Sequence, residues 1–208
     1  MALLRFHPTY TLYGDMSDQV MTILRDFRPH VEGYSIDEYF LGLHGLANFW
    51  PIPMGIGHKI CHRIRQWTSL PVCVGFGATK TLAKLANHIA KKQPTFNGVC
   101  GFSTMPHEQF EAWLSNIEVG EVWGIGRQLS QHLNATGITT VKALCDTQPF
   151  WLRAGFGVVM GRLGDELRGV SCLALEEISA PKEQIISSRS FDNLFITCLS
   201  SANPLLVI

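Results

Sequence analysis

Residues 72–92 read VCVGFGATKTLAKLANHIAKK. A short apolar run closed by Gly75 and Gly77 leads into a stretch where Leu82, Leu85, Ala86 and Ile89 recur at helical spacing. This is the pattern of a buried strand turning into an amphipathic helix. Lys80, Lys84, His88 and Lys91 fall on the side opposite the apolar stripe. The two glycines let the backbone approach a ligand closely, and Lys80 and Lys84 offer ammonium groups to phosphates. The spacing lacks GxxxxGK[ST], so it is not a nucleotide-binding P-loop. The plainer alternative is a surface helix with its lysines in solvent.

Upstream, residues 17–28 predict a helix capped by Ser17, with Val20, Ile23, Leu24 and Phe27 on one face. Pro29 stops it. The run VEGYSIDEYFLGLHG that follows reads as one strand or a hairpin with its acids in the middle, and residues 55–67 fit a second helix. Downstream, QPTFNGVCGFS is turn-rich and marks a candidate domain boundary. Short helices are expected over 107–115, 127–135, 139–145 and 158–168. The outline is a mixed α/β first part followed by a small all-α second part.

Composition narrows the function classes. The 208 residues are 46% hydrophobic and 16% charged, against ~25% charged in an average globular protein, which excludes whole-chain disorder. No apolar run approaches the ~18 residues of a membrane span, and the first residues do not read as a signal peptide, so a cytoplasmic protein is expected. The six cysteines lie 12 or more residues apart, with no CxxC or zinc-ligand spacing. They read as reduced, mostly buried thiols. Lys+Arg and Asp+Glu both total 17, yet residues 39–107 contain no acid and hold Lys59, Arg63, Arg65, Lys80, Lys84, Lys91 and Lys92, a formal +7. A segregated basic block suits an anionic partner such as nucleic acid or a phosphorylated ligand. Two solvated faces of opposite sign would leave the same trace.

Two further stretches carry chemistry. Asp37 and Glu38 are adjacent acids in an apolar β segment, where burial is costly without compensation. A hard divalent cation would compensate, since Mg²⁺ takes one or two carboxylates plus phosphate oxygens. Neighbouring strand residues point to opposite faces, so both acids reach one metal only at a strand end, turn or bulge. A hairpin tip with two solvated acids is the bland reading. The second stretch is Val122-Trp123-Gly124-Ile125-Gly126-Arg127, followed by Leu129, Leu133 and Gly137-Ile138-Thr139-Thr140. A G-h-G turn entering a helix exposes N–H groups that hold a phosphate without reading bases, and the spacing resembles the helix-hairpin-helix motif. A glycine-rich turn between packed helices is its alternative.

In this order, the sites resemble the Y-family translesion DNA polymerases. The matching runs are residues 10–17 (YTLYGDMS), 32–38 (EGYSIDE), 78–88 (ATKTLAKLANH), 122–127 (VWGIGR), 166–169 (ELRG), 181–186 (PKEQII) and 188–191 (SRSF). The resemblance implies an α+β fold class: a partial polymerase palm, with a mixed sheet and helices, over residues 1–95, then a small all-α thumb with a helix-hairpin-helix over 96–178. Residues 179–191 would begin the little-finger domain, and 192–208 form an unassigned tail. It further implies error-prone translesion synthesis in the SOS response, in which two Mg²⁺ ions activate the primer 3′-hydroxyl and hold the triphosphate. Asp37 and Glu38 would be the catalytic metal ligands, and Lys84 and Lys80 would contact the nucleotide. Gly124, Ile125, Gly126 and Arg127, with Ser188 and Arg189, would grip DNA. The partners implied are primer–template DNA, dNTP, the processed UmuD dimer, the RecA filament and the sliding clamp, with no membrane.

The family's first strand, with a further metal-binding aspartate and an aromatic that excludes ribonucleotides, has no match upstream of Tyr10. The same holds for its fingers domain. Gly42 also stands where the family often has an aspartate. The two-metal site is therefore expected to be one ligand short, and the chain to read as a truncated, catalytically impaired product. The alternative is a non-catalytic, sequence-independent DNA-binding remnant.

Overall fold

Val72, Val74 and Phe76 alternate with Cys73 and Gly75, and that period of two sorts the faces of one strand into two apolar cores. The computed structural model of the chain describes residues 10–43 and 53–175, all within one compact unit. Helix α1 (Tyr10–Phe27) leads to β1 (Val31–Gly33) and β2 (Tyr39–Leu41), and α2 (Pro53–Thr68) to β3 (Val74–Phe76). Helix α3 (Lys80–Lys92) then crosses over to β4 (Val99–Gly101). Helices α4 (His107–Asn116), α5 (Arg127–Ala135), α6 (Val141–Asp146), α7 (Pro149–Phe156) and α8 (Val158–Leu167) complete the order.

The first core joins Val20, Ile23 and Leu24 of α1 and Ile56, Ile60 and Ile64 of α2 to Val31, Phe76 and Val99. The second lies on the other face of β4, where Cys100 meets Leu82, Leu85, Ala86 and Ile89 of α3 and the buried side chains of α4 to α8. Each fully buried Leu or Ile contributes roughly 1.5–3 kcal/mol, so the stripe read along α3 is what joins it to the helical part. The expected mixed sheet is two separate pairs among the described residues. β1 and β2 are antiparallel (Val31↔Leu41, Glu32↔Phe40, Gly33↔Tyr39), and β3 and β4 are parallel (Val74↔Val99, Gly75↔Cys100, Phe76↔Gly101).

Several expectations need correction. Ser17 does not cap a helix: α1 begins at Tyr10, and Ser17 sits inside it with its Oγ beside the Tyr39 hydroxyl. Residues 11–19 of α1 bury nothing fully, with Leu12 and Tyr13 exposed, so apolar periodicity could not reveal them. The turn-rich run 93–103 hides β4, whose Val99 and Cys100 are completely buried. Helix α7 was not expected, because Phe150 and Trp151 are apolar but exposed and break the stripe. Gly75 and Gly77 do not open a ligand site. A Cβ on Gly75 would lie 2.2 Å from Ala83 O and Asn87 N, and one on Gly77 2.4 Å from Ala83 N. Both positions are glycine so that strand and helix backbones can meet.

Candidate metal and DNA-backbone site

The acids lie at the tip of the β1–β2 hairpin. Residues 34–38 form its loop, closed where the Tyr34 and Ser35 N–H groups donate to the Glu38 carbonyl at 2.9 and 3.2 Å. Asp37 sits in a bend and Glu38 directly precedes β2, so strand alternation does not send them to opposite faces. Asp37 is exposed, and its Oδ1 accepts from Ser35 Oγ at 2.6 Å. The Tyr39 hydroxyl lies 2.5 Å from Ser17 Oγ and 3.1 Å from the Ile36 carbonyl, which ties the loop to α1.

The N-terminal half of α3 faces this hairpin. Thr79 caps the helix, its Oγ1 accepting from the Leu82 N–H at 3.2 Å. Directly after the cap, Lys80 Nζ donates to both carboxylate oxygens of Glu32 at 2.8 and 2.6 Å, and one turn on Lys84 Nζ donates to Glu38 Oε2 at 3.0 Å. The first pair is nearly buried, its side chains 12% and 11% exposed; the second is more open, at 17% and 37%. The acid-free block therefore draws its counter-charges from acids outside it. Lys92 does the same with Glu121 at 3.1 Å, and Arg63 approaches Asp26 at 4.0 Å.

Aromatic rings surround the two lysines. Lys84 Nζ lies 4.3 Å from the Tyr34 ring centroid and 4.4 Å from that of Trp123, while Lys80 Nζ lies 5.1 Å from Phe40. Tyr34 and Trp123 meet edge to face at 5.1 Å, and the indole Nε1–H donates to the Tyr34 hydroxyl at 3.2 Å. The sequence reading missed Tyr34, Trp123, Phe40 and Glu32. Tyr34, Glu32 and Trp123 lie inside two matching runs, but 89 residues separate Tyr34 from Trp123, and Phe40 lies outside both runs.

Trp123 opens the G-h-G turn, so the turn lies against the acid hairpin. Gly124 adopts φ +90°, in the left-handed region where a side chain is strained, and a Cβ there would meet Leu163 at 3.3 Å. Ile125 is buried, its N–H closing the turn onto the Val122 carbonyl at 3.0 Å. Gly126 caps α5 with no side chain, leaving the first N–H groups of that helix open, and Arg127 is exposed. A three-residue 3₁₀ turn, Val119–Glu121, enters the turn and α5 leaves it, with residues 137–140 in the link from α5 to α6. Ser188 and Arg189 lie outside the described residues.

Adjacent carboxylates at a strand entry suit a hard cation that draws its remaining ligands from water or phosphate. No group of three His, Cys, Asp or Glu poised to hold a metal ion occurs among the described residues. The pair fits a site that a ligand completes rather than a closed protein cage. No helix among the described residues is long and apolar enough to cross a membrane. The described cysteines are free thiols, with Cys61 and Cys100 pushed up to about 11 by burial.

The fold is that of the Y-family DNA polymerases. It aligns with a DinB family error-prone DNA polymerase from Sulfolobus solfataricus at a TM-score of 0.65 and 22% identity, covering 81% of this chain and 49% of that one. An insertion ternary complex of Dbh DNA polymerase aligns at 0.64, covering 80% and 47%. Residues 2–88 match the impB/mucB/samB family. Protein UmuC of Salmonella typhimurium is 44% identical over 187 residues, and Protein ImpB of Salmonella typhimurium 41% over 186; each alignment covers 89% of this chain and 44% of the relative. DNA polymerase IV of Moorella thermoacetica is 31% identical over 163 residues, 78% of this chain and 39% of its own. The chain thus spans less than half the length of these relatives.

Proposed function

We propose that these residues form the palm and thumb portion of an error-prone translesion DNA polymerase, which adds nucleotides to a primer 3′-hydroxyl opposite damaged template. Residues 1–95 are the palm and 96–178 the thumb on this reading, with 179–191 leading into a further domain. The observation that carries it is a single convergence. The Asp37-Glu38 hairpin tip, the Lys84 ammonium and the turn at residues 122–126 meet around one pair of rings.

Asp37 and Glu38 would hold Mg²⁺, which supplies charge stabilisation for phosphoryl chemistry when bound. Lys84 and Lys80 bring positive charge to the triphosphate side of the hairpin. The open N–H groups after Gly126, with Arg127, suit a DNA phosphate, which positions the backbone without reading sequence. Ser188 and Arg189 are proposed separately as DNA-binding residues. Primer–template DNA and dNTP are the substrates. The processed UmuD dimer, the RecA filament and the sliding clamp are the proposed protein partners, within the cytoplasm during the SOS response.

The test is primer extension on a damaged template with Mg²⁺, comparing the chain with Asp37→Ala. Metal-dependent extension that disappears in the variant supports catalysis; equal extension by both removes Asp37 from the chemistry. The open N–H groups after Gly126 and the exposed Arg127 favour a second reading, sequence-independent DNA binding without synthesis. That reading predicts DNA affinity that falls with salt, with no extension by either protein.

A further inference from the structure

We propose that Tyr34 and Trp123 form an aromatic seat that keeps the Lys84 ammonium in place while it exchanges one anionic partner, Glu38, for another, a phosphate of a nucleoside triphosphate. Trp123 is then a positioning residue that ties triphosphate binding to the turn at residues 122–126. The inference rests on the nucleotide role of Lys84 proposed above.

The geometry separates the two lysines of α3. Lys80 is held by both oxygens of Glu32 in a nearly buried pair, with one ring 5.1 Å away. Lys84 has a single hydrogen bond to Glu38, whose side chain is 37% exposed, and two rings within 4.4 Å. A ring face attracts a cation without neutralising it, whereas a carboxylate competes directly with any phosphate. An ion pair as open as Lys84–Glu38 is weak and screened by salt. Lys84 can therefore leave Glu38 at little cost, while the rings restrict where the ammonium goes.

The seat is held by contacts among its own rings. Tyr34 and Trp123 stand at 88° to each other, joined by the Nε1–H bond to the tyrosine hydroxyl, and Phe40 backs both at 6.1 and 5.9 Å. Because Trp123 immediately precedes Gly124, displacement of the turn moves one wall of the seat. Occupancy of the turn by a DNA phosphate and occupancy of Lys84 by a triphosphate share this side chain.

The test measures Mg²⁺–dATP affinity of the full 208-residue chain by titration calorimetry, with no turnover required. Lys84→Gln and Trp123→Leu should each weaken binding by about tenfold, and Trp123→Phe, which keeps a ring, by less than about threefold. In the Lys84→Gln background, Trp123→Leu should cost nothing further, the coupling expected of a shared interaction. Should Trp123→Leu fail to fold, as judged from near-UV circular dichroism, Tyr34→Leu removes the other wall and should give the same loss and the same coupling. Unchanged affinity in the Trp123 and Tyr34 variants, or an equal loss with and without Lys84, overturns the seat while leaving the nucleotide role intact. No binding by the wild type, or none of it lost in Lys84→Gln, overturns the nucleotide role, and the seat with it.

Discussion

Glu166 is 1% exposed, and its carboxyl group accepts three backbone N–H groups: Thr81 at 3.2 Å, Cys172 at 2.6 Å and Leu173 at 3.0 Å. Its own carbonyl accepts from Thr79 Oγ1 at 2.8 Å. One side chain thus pins the first turn of α3, which carries Lys80 and Lys84, to the segment leaving α8. Glu166→Ala strands the Thr81 N–H inside the protein, because Thr81 is itself buried, at a cost of about 2 kcal/mol. Residues 172 and 173 are exposed, so their N–H groups can turn to water and lose only about 1 kcal/mol each. The expected destabilisation is about 4 kcal/mol, and for a domain of this size a fall in Tm of about 12 °C. Glu166→Gln keeps one oxygen but sets an NH₂ group against a donor, and should lose about half as much. Thermal unfolding by circular dichroism reads both. Hydrogen exchange should show Thr81 and Leu82 losing protection before the middle of α3. A loss below about 1 kcal/mol in the alanine variant would refute the argument.

Gly75→Ala places a methyl 2.2 Å from helix backbone that cannot yield, and should destabilise by about 3 kcal/mol or more in urea unfolding. Gly126→Asp meets open space and can cap α5, so stability should hold or rise slightly. Its carboxylate would repel a phosphate, and DNA affinity in anisotropy titrations should fall about tenfold at low salt. Unchanged affinity would remove the turn from the DNA contact. His88 has its pKa lowered, first by burial and then by Lys92, while Glu121 opposes the shift. Its proton is therefore bound more readily by the unfolded chain, and stability should fall as pH drops from about 7 towards 5. His88→Gln should flatten that slope in denaturant midpoints measured across the range.

Local pattern accounts for what the sequence made legible. The α3 stripe, the buried strand before it and the acid hairpin each announce themselves within a dozen residues, because side-chain period and turn chemistry are local. What escaped is what depends on distant neighbours. β4 is three residues long and buried in both cores, so nothing alternates long enough to be read. The glycines before α3 suggested a ligand because their freedom is visible in sequence, whereas the helix backbone that occupies the space is not. Lys80 and Lys84 stood out as unbalanced charges, yet Glu32 and Glu38 lie nearly 50 residues earlier.

Those pairings change what the neutral net charge means. A basic block with no acids of its own invites the picture of a bare cationic face, but three of its lysines are already opposite carboxylates in the folded chain. An incoming polyanion would gain most where a carboxylate is held weakly and least where it is held tightly. By exposure and bonding that order puts Lys84 and Lys92 ahead of Lys80, whose bidentate and nearly buried pair is the one most costly to open. Lys80 thus meets a ligand only by opening that pair, which while closed fixes the hairpin against α3. Of Lys84 and Lys92, Lys84 is the one that lies where the hairpin, the helix and the turn come together.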